Sequence, residues 1–435
     1  MRFTRLQDWL DWQLSLHTKP IDLGLERVSS VWKKLPQLNP ETFVISIAGT
    51  NGKGSAVAYL EAILDHAGYS VGCYTSPHLV RYNERIRING REVSDQQLCE
   101  AFQAIDEARG DTSLSYFEFG TLAALYIFSQ TTPDVVVLEV GLGGRLDAVN
   151  IIDADAALIT SIGLDHQDWL GNDRETIGRE KAGILRKEQC SVFSGQDMPE
   201  SIRQYASQIG SKLIVAGTDY HVINHQNEQN HGEWQIQSDF GNRHALPLPV
   251  LRGSHQVENA AGVIALLLSC RDKLPVASDA MRAGLVSAKL KGRFQVLPID
   301  ITGDVNVVID VAHNPDSMLE LARNLAGFVI KGKLHVIVGM LKDKQIDASL
   351  EPLLKEADCW YLLSTPGDRG LSASELAKVF PGDSAKIVGM SDNIEQVFQS
   401  AMQQANAGDT LLITGSFLVA GACLEMLEKQ SGPEV

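Results

Sequence analysis

Short apolar runs alternate with amphipathic segments along most of the chain. In the first part, strand-like apolar runs cover residues 43–49, 70–75, 134–141, 156–163, 190–194 and 212–216. Helical periodicity covers residues near 55–67, 95–109, 117–130 and 174–187. This alternation predicts a parallel sheet that is covered by helices on both faces.

Residues 219–250 interrupt this rhythm. His221 to Asn224 and Glu233 to Phe240 predict an antiparallel hairpin, because polar edges and turn residues separate two strand-like runs. A predicted helix over 257–270 follows. A second strand–helix series then begins, with predicted strands over 305–312, 334–340, 358–364, 385–389 and 409–415.

Composition excludes several classes of protein. The net charge of −16 and the absence of a basic run argue against a nucleic-acid partner. Six scattered cysteines without a C-x-x-C pair are typical of reduced thiols in a cytosolic protein. The longest apolar run, 260–268, is too short to cross a membrane. We therefore expect a cytoplasmic protein without a membrane partner.

The most informative stretch is the loop Gly49-Thr-Asn-Gly-Lys-Gly-Ser55, which joins a strand to a helix. Glycines allow backbone N–H groups to approach an anion, the helix N-terminus favours negative charge, and Lys53 adds a positive charge. The loop is shorter than the common phosphate-loop pattern, and Gly54 separates Lys53 from Ser55. A plain turn is the alternative, but the position between strand and helix favours a nucleotide site.

These patterns predict an α/β protein of two domains, because 435 residues exceed one ordinary core. Residues 1–289 would form a P-loop ATPase-like domain with a mostly parallel sheet and a small antiparallel hairpin region. Residues 292–435 would form a smaller Rossmann-like α/β domain, with the boundary at Lys289-Leu-Lys-Gly-Arg293. Two such domains in series favour a ligand site in the cleft between them.

Two side chains at strand ends are candidate magnesium ligands. Glu139 interrupts a strand that should be buried, where a lone carboxylate is costly unless it is paired or bound to a cation. A salt bridge to a buried Lys or Arg is the alternative to a Mg²⁺ ligand. Ser76 follows another strand, where the Ser-Pro sequence indicates either a turn or a hydroxyl that reaches Mg²⁺.

Two further residues follow the strand over 156–163. His166 has the local pattern of a hydrogen-bonded loop histidine, because Mg²⁺ prefers oxygen ligands. Lys181 lies in Arg179-Glu-Lys-Ala-Gly183, where a solvated charged helix face is the ordinary interpretation. A neutral, buried lysine amine could instead add CO₂ and become an anionic carbamate.

The second domain and the boundary add nucleotide-binding candidates. Asp310 and His313 end a strand, where an acid commonly accepts a ribose hydrogen bond, although Asn314-Pro315 also resembles a helix cap. Arg293 lies at the boundary, from which it could reach a phosphate across a closing cleft. Asn259, near the predicted start of a helix, is either a cap or an adenine partner.

Seven segments in this order resemble one family, the bacterial dihydrofolate synthase/folylpolyglutamate synthases, which are related to the Mur ligases. The segments are Ile21–Val28, Gly49–Ser55, Ser76–Leu79, Phe117–Thr121, Leu138–Asp147, Leu164–Lys181 and Gly292–Pro315. Mur ligases share the phosphate loop and the buried glutamate, but they look different in Ile21–Val28 and Phe117–Thr121.

The resemblance implies a role for each candidate residue. Phosphate binding would fall to Thr50, Asn51, Gly52, Lys53, Gly54 and Ser55, and the rest of the nucleotide site to Asn259, Arg293, Asp310 and His313. Two Mg²⁺ ions would be held by Ser76, Glu139, His166 and a carboxylated Lys181, with a monovalent cation as a further candidate. The pterin site would consist of Asp22, Leu23, Gly24, Leu25, Phe117, Glu118, Leu146, Asp147 and Ala148. Catalysis would depend on Lys53, Lys181, His166 and Arg293.

The implied reaction is ATP-dependent ligation of L-glutamate to 7,8-dihydropteroate and to tetrahydrofolate and its polyglutamates, through an acyl phosphate, by a monomer. The Asp22–Leu25 segment favours two activities. The alternatives are a folylpolyglutamate synthase with one activity, a Mur-type ligase, a P-loop kinase or GTPase, and a non-catalytic nucleotide-binding module. Glutamate-dependent ADP production would separate a glutamate ligase from a kinase or GTPase and from a non-catalytic module.

Overall fold

The computed structural model describes residues 1–19, 21–224, 232–297, 304–380 and 386–431. The predicted turn between the two hairpin strands and the first residue of the predicted strand 385–389 lie outside the described residues. The described chain forms three sheets with eight, three and six strands.

The eight-stranded sheet has the order β4-β3-β2-β5-β1-β6-β7-β8. Its strands are β1 (Phe43–Ala48), β2 (Val71–Tyr74), β3 (Ile86–Ile88), β4 (Arg91–Glu92), β5 (Val135–Glu139), β6 (Ala156–Ile159), β7 (Cys190–Phe193) and β8 (Lys212–Val215). Only β3 and β4 run antiparallel to their neighbours. β5 is apolar up to Glu139 because it lies between β2 and β1 and is buried on both faces.

Helices cover both faces of this sheet. They are α1 (Leu6–Leu16), α2 (Glu26–Trp32), α3 (Lys53–His66), α4 (Asp95–Arg109), α5 (Tyr116–Thr131), α6 (Gln167–Leu170), α7 (Arg174–Ala182), α8 (Glu200–Ile209), α9 (Ser254–Ser269) and α10 (Ser278–Ser287). One core contains α3, α9 and α10. A separate core contains α1, α2, α4 and α5.

The antiparallel region is a sheet of three strands. These are β9 (Tyr220–Asn224), β10 (Glu233–Ser238) and β11 (Arg243–Pro247), in the order β11-β10-β9. The predicted pairing of the first two strands is confirmed, and β11 was not predicted. Buried Trp234 and Ile236 pack into the core that contains α9, so this small sheet belongs to the first part of the molecule.

The six-stranded sheet has the order β12-β13-β17-β14-β15-β16. Its strands are β12 (Gln295–Val296), β13 (Asn306–Ile309), β14 (Leu334–Val338), β15 (Cys359–Leu363), β16 (Ile387–Ser391) and β17 (Thr410–Thr414). The helices are α11 (Pro315–Ala326), α12 (Ile346–Leu354), α13 (Ala373–Leu376), α14 (Ile394–Gln404) and α15 (Phe417–Ser431). All pairs except β12–β13 are parallel, and a hydrophobic core lies on each face.

The predicted α/β class, with two strand–helix series and a small antiparallel sheet, is confirmed. Two helix boundaries were wrong. The helix predicted over 174–187 ends at Ala182 with Gly183 as its C-cap, and the Glu180 carbonyl of its last turn accepts from the Arg145 N–H at 2.8 Å instead of from a further helical turn. The helix predicted from residue 257 begins at Ser254, so Asn259 lies inside it and is not its cap.

Candidate active site

A cleft of about 700 Å³ lies where the carboxyl ends of strands from both large sheets face each other. This is the usual position of ligand sites in α/β proteins. Its lining includes the predicted nucleotide and metal residues Thr50, Asn51, Gly52, Lys53, Gly54, Ser55, Ser76, Glu139, His166, Lys181, Asn259, Arg293, Asp310 and His313. Residues that are distant in sequence therefore meet at one site.

The phosphate loop is held tightly by its surroundings. A Cβ atom added to Gly49 would lie 1.9 Å from Thr160 Oγ1, and one added to Gly52 would lie 2.4 Å from Asn259 Oδ1, so any residue larger than glycine would clash at either position. Gly52 also has φ of +87°, which favours glycine. The Thr50 hydroxyl donates to Gly163 O at 3.2 Å. The loop is therefore fixed against β6 and α9 with its backbone directed into the cleft.

Lys53 begins α3, and its ammonium curls back over the loop. Lys53 Nζ donates to Gly49 O at 3.1 Å and to Thr50 O at 3.3 Å. Burial lowers the pKa of Lys53, although the nearby Glu139 carboxylate opposes this effect. First-turn N–H groups of α3 and this cation together form a site for the phosphates of a nucleotide.

The surroundings of Glu139 favour a role as a cation ligand over a salt bridge to Lys or Arg. Its carboxylate is buried, and its hydrogen bond among the described residues comes from the Ser76 backbone N–H, 3.1 Å from Oε2. Within the described ranges it has no Lys or Arg partner at salt-bridge distance, so the salt-bridge alternative is not observed. Burial raises the pKa of Glu139, and the Lys53 charge opposes this effect. A divalent cation would supply the missing counter-charge.

Lys181 is a buried lysine without a carboxylate partner in the described part of the chain. Its Nζ donates to Gly49 O at 2.9 Å, and the residue is 5% exposed. The solvated-face interpretation is therefore wrong. Burial, together with the Lys53 charge, lowers the pKa of Lys181 to about 7. An appreciable fraction of the amine is neutral at neutral pH, which is the form that reacts with CO₂.

His166 lies at the start of α6 with φ of +52°. Burial, with the Lys344 charge, lowers the pKa of His166 to about 3, so its ring is neutral. The ring makes no hydrogen bond within the described residues, so the hydrogen-bonded alternative is not observed. Among the described residues no three His, Cys, Asp or Glu side chains form a metal-binding group. A metal here would also need oxygen ligands from Ser76 or a modified Lys181.

Arg293 enters the cleft from the segment that connects the two large sheets. A Cβ on Gly54 would lie 3.6 Å from an Arg293 guanidinium nitrogen, and the guanidinium stacks 5.2 Å from the Phe417 ring centroid. Asp310 accepts hydrogen bonds from the Phe294 and Ala312 N–H groups at 2.7 and 2.8 Å. Asp310 thus fixes the turn that presents Arg293 to the phosphate loop.

Asp165 joins the two parts of the molecule across the cleft. Its carboxylate pairs with Lys344 Nζ at 2.6 Å, lies 3.4 Å from His313 Nε2 and accepts from Asn314 Nδ2 at 3.2 Å. Burial opposes ionisation, but the His313 hydrogen bond and the Lys344 charge outweigh it and hold the pKa of Asp165 well below its usual range. Asn314 also exchanges side-chain hydrogen bonds with Asn51 of the phosphate loop.

Asp165 and Lys344 were not predicted as site residues. A signal was present for Lys344, because it follows the end of β14, where α/β sites form. The Asn314-Pro315 prediction is confirmed, since Asn314 caps α11 by accepting from the Ser317 N–H at 2.9 Å and Pro315 is its first residue. His313 is thus held at a helix start that faces the phosphate loop.

The residues predicted for the pterin site lie together beside this cleft. Arg27 bridges Asp22, at 2.6 Å, and the buried Glu118, at 3.1 Å. Gly24 N–H donates to Leu146 O at 3.3 Å, which joins the 22–25 segment to the 141–148 loop. Leu23 and Leu25 lie in the same segment. These contacts link three distant parts of the sequence into one wall.

The 141–148 loop connects this wall to the phosphate loop. A Cβ on Gly141 would lie 2.5 Å from the Phe117 ring, so glycine allows the ring to approach. Asp147 accepts from the Leu142 and Val149 N–H groups at 2.8 and 3.0 Å, and Ala148 begins a short 3-10 turn. Burial raises the pKa of Asp147 to about 6. Asp147 therefore fixes the loop that begins just after Glu139.

Comparison with known families agrees with this architecture. Residues 47–267 match the model described as Mur ligase middle domain, and residues 292–417 match the model described as Mur ligase, glutamate ligase domain. The phosphate loop, the two α/β parts and the cleft between them therefore define an ATP-dependent ligase built from Mur ligase domains.

Whole-length relatives narrow this class. The dihydrofolate synthase/folylpolyglutamate synthase of Escherichia coli is 43% identical over 430 residues, which cover 98% of this chain and 97% of the relative. The Haemophilus influenzae protein of the same name is 39% identical over 430 residues, with 95% of each chain covered. The chain belongs to the dihydrofolate synthase/folylpolyglutamate synthase family, and it is an ATP-dependent glutamate ligase of folate metabolism.

Solved structures support the same assignment. Escherichia coli FolC in complex with DHPP and ADP is 42% identical, with a TM-score of 0.90 and 98% of both chains covered. A bifunctional folylpolyglutamate synthase/dihydrofolate synthase with Mn, AMPPNP and L-glutamate bound is 43% identical, with a TM-score of 0.88 and 98% of both chains covered. None of the helices in the described ranges has the length and apolar character needed to span a membrane.

Proposed function

We propose that this protein ligates L-glutamate both to 7,8-dihydropteroate and to tetrahydrofolate and its polyglutamates. The observation that carries this proposal is the continuity of the segment 139–148. It begins at Glu139 in the nucleotide cleft and ends at Asp147 and Ala148 in the wall that contains Asp22 and Phe117. An acceptor held by that wall has its carboxylate within reach of a nucleotide on the phosphate loop.

The chemistry follows from the weak reactivity of a carboxylate as an acyl donor. A carboxylate oxygen of the acceptor attacks the γ-phosphorus of ATP, the bond to the β-γ bridging oxygen breaks, and ADP leaves. The glutamate amine then attacks the carbonyl carbon of the acyl phosphate. Phosphate leaves, the amine nitrogen loses its proton, and an amide remains.

The residues of this chain act mainly by placing positive charge around the phosphates and by holding the nucleotide in position. Lys53 and the α3 N-terminus hold the phosphates, and Arg293 adds charge from the opposite side of the cleft. Asn259 supports the loop at Gly52, while Asp310 and His313 complete the nucleotide side. The Asp165 contacts with Lys344, His313 and Asn314 hold the two sides of the cleft together.

The metal side would be formed by Ser76, Glu139, His166 and a carboxylated Lys181. A neutral Lys181 amine adds to the carbon of CO₂ and loses a proton, and the product is a carbamate anion. Magnesium, when bound, neutralises charge on the transferring phosphoryl group. The buried Glu139 without a described cation partner supports a divalent cation in this region. Two Mg²⁺ ions, and a monovalent cation as a further candidate, are part of the proposal.

We further propose a division into residues 1–289 and 292–435, a monomeric state and a cytoplasmic location. This division is supported by separate hydrophobic clusters, three around the eight-stranded sheet and two around the six-stranded sheet. Purified protein with ATP, Mg²⁺ and L-glutamate should release ADP with either acceptor. Activity with tetrahydrofolate alone would support the folylpolyglutamate synthase with one activity, and ADP release without glutamate would support a kinase or a GTPase.

A further inference from the structure

Arg85 is a buried cation without a described counter-ion. It ends the 3-10 turn Tyr82–Arg85 and is 8% exposed. Its Nε donates to His78 Nδ1 at 2.8 Å, and no carboxylate lies at salt-bridge distance in the described part of the chain. Two residues later, Arg87 forms three hydrogen bonds to Glu61. Because a buried charge is costly unless it is paired, Arg85 is the one of these two arginines that needs a ligand.

The surroundings of Arg85 suit a planar anion. The guanidinium lies 5.2 Å from the Tyr82 ring centroid and 5.7 Å from the Tyr116 ring centroid. These rings attract the cation and fix its plane, but they do not neutralise its charge. A guanidinium held in one plane presents parallel N–H groups that match a carboxylate.

Arg85 also lies between the two halves of the proposed site. His78, its hydrogen-bond partner, is two residues after Ser76 on the metal side. Tyr116 precedes Phe117 on the pterin side, and the Phe117 ring lies 6.0 Å from that of Tyr74 at the end of β2. Its contacts with His78 and Tyr116 thus place Arg85 between the metal side and the pterin side.

We propose that Arg85 binds the α-carboxylate of the glutamate on a folate acceptor. This inference rests on the proposed function, because that function gives the protein two acceptors. Tetrahydrofolate carries an α-carboxylate beside its reacting γ-carboxylate, whereas the only carboxylate of 7,8-dihydropteroate is the one that reacts. Arg85 thus acts as a specificity-determining residue for the second activity.

The test compares both acceptors in steady-state kinetics with Arg85→Gln and Arg85→Lys. For Arg85→Gln, KM for tetrahydrofolate should rise about 10- to 100-fold, because a hydrogen-bonded charge pair is lost. Its kcat/KM for 7,8-dihydropteroate should stay within about 2-fold, since no partner group is lost. Arg85→Lys should recover part of the tetrahydrofolate affinity. The matched control is Arg81→Gln, which changes an exposed arginine in the same segment and should leave both reactions unchanged.

A substrate change tests the same contact without a mutation. Wild-type protein should prefer tetrahydrofolate over its α-carboxamide analogue by about 10-fold or more, and Arg85→Gln should discriminate much less. Equal losses on both acceptors, together with a lowered Tm, would assign Arg85 to folding and overturn the inference. Equal use of the acid and the amide by wild-type protein would also overturn it. A wild-type protein inactive with one acceptor would instead contradict the proposed function itself.

Discussion

Lys53 touches its own loop through two carbonyl groups and adds little to the hydrophobic core. We therefore predict that Lys53→Ala retains its fold but loses ligation. Removal of a charge that stabilises the transferring phosphoryl group should lower kcat by roughly 10²-fold or more. Circular dichroism and thermal melting would check the fold, and ADP release would check the rate. Near-normal turnover in the folded variant would remove this loop from the mechanism.

The prediction for Lys181 concerns the ability of a lysine amine to form a carbamate. Lys181→Ala should lose activity through weaker metal binding, and a small added carboxylate should restore part of it. Lys181→Arg keeps a positive charge but cannot form the carbamate, so it should remain inactive. Carbon-13 NMR after exposure to labelled bicarbonate should show one carbamate signal in wild-type protein. Full activity of the Arg variant would refute the assignment.

At the scale of elements, we propose that the segment between α1 and α2 contributes to acceptor recognition. Asp22 pairs there with Arg27 and lies 3.1 Å from His17 Nε2. We predict that Asp22→Ala impairs ligation to 7,8-dihydropteroate more than ligation to tetrahydrofolate. The measurement is kcat/KM with each acceptor, and Asp8→Ala on the exposed side of α1 is a control. Equal losses on both acceptors would show that the segment serves a shared site or folding.

The elements differ in how well their sequences predict them. Buried parallel strands such as β5 are continuous apolar runs, and Glu139 stands out because it interrupts one. β3 and β4 have only three and two residues, which is too short for a periodic pattern. α10 was missed although it packs against α3. Its buried face consists of Ala280, Met281, Gly284 and Leu285, and the small residues Ala280 and Gly284 weaken the apolar periodicity of that face.

Site residues also differ in whether a local sequence pattern can reveal them. The phosphate loop is a local motif, so its position could be read directly from Gly49 to Ser55. The Asp165–Lys344 pair depends on how the two sheets are arranged, and the partners are 179 residues apart. No local pattern encodes such a contact. Burial of Lys181 could not be predicted either, because the helix sequence around it is charged.

At the scale of the whole molecule, we expect catalysis to depend on contacts across the cleft. Arg293 reaches the phosphate loop beside Gly54 from the connecting segment. We predict that Arg293→Ala raises KM for ATP and slows the chemical step, because closure assembles the site. Single-turnover measurements would separate the chemical step from product release. The matched control is Arg203→Ala, an exposed arginine on α8 that lies outside the lining of the cleft. A structure with an ATP analogue in which Arg293 faces solvent would contradict this role.

The central claim is that one cleft uses ATP to join glutamate to two acceptors. The most direct measurement is ADP release by purified protein with Mg²⁺, in the presence and absence of L-glutamate, with 7,8-dihydropteroate and tetrahydrofolate tested separately. Mass spectrometry of the products should show one added glutamate on each acceptor. The account predicts glutamate-dependent ADP release with both acceptors, in equal amount to the amide formed. ADP release that does not depend on glutamate, or the absence of product with either acceptor, would contradict it.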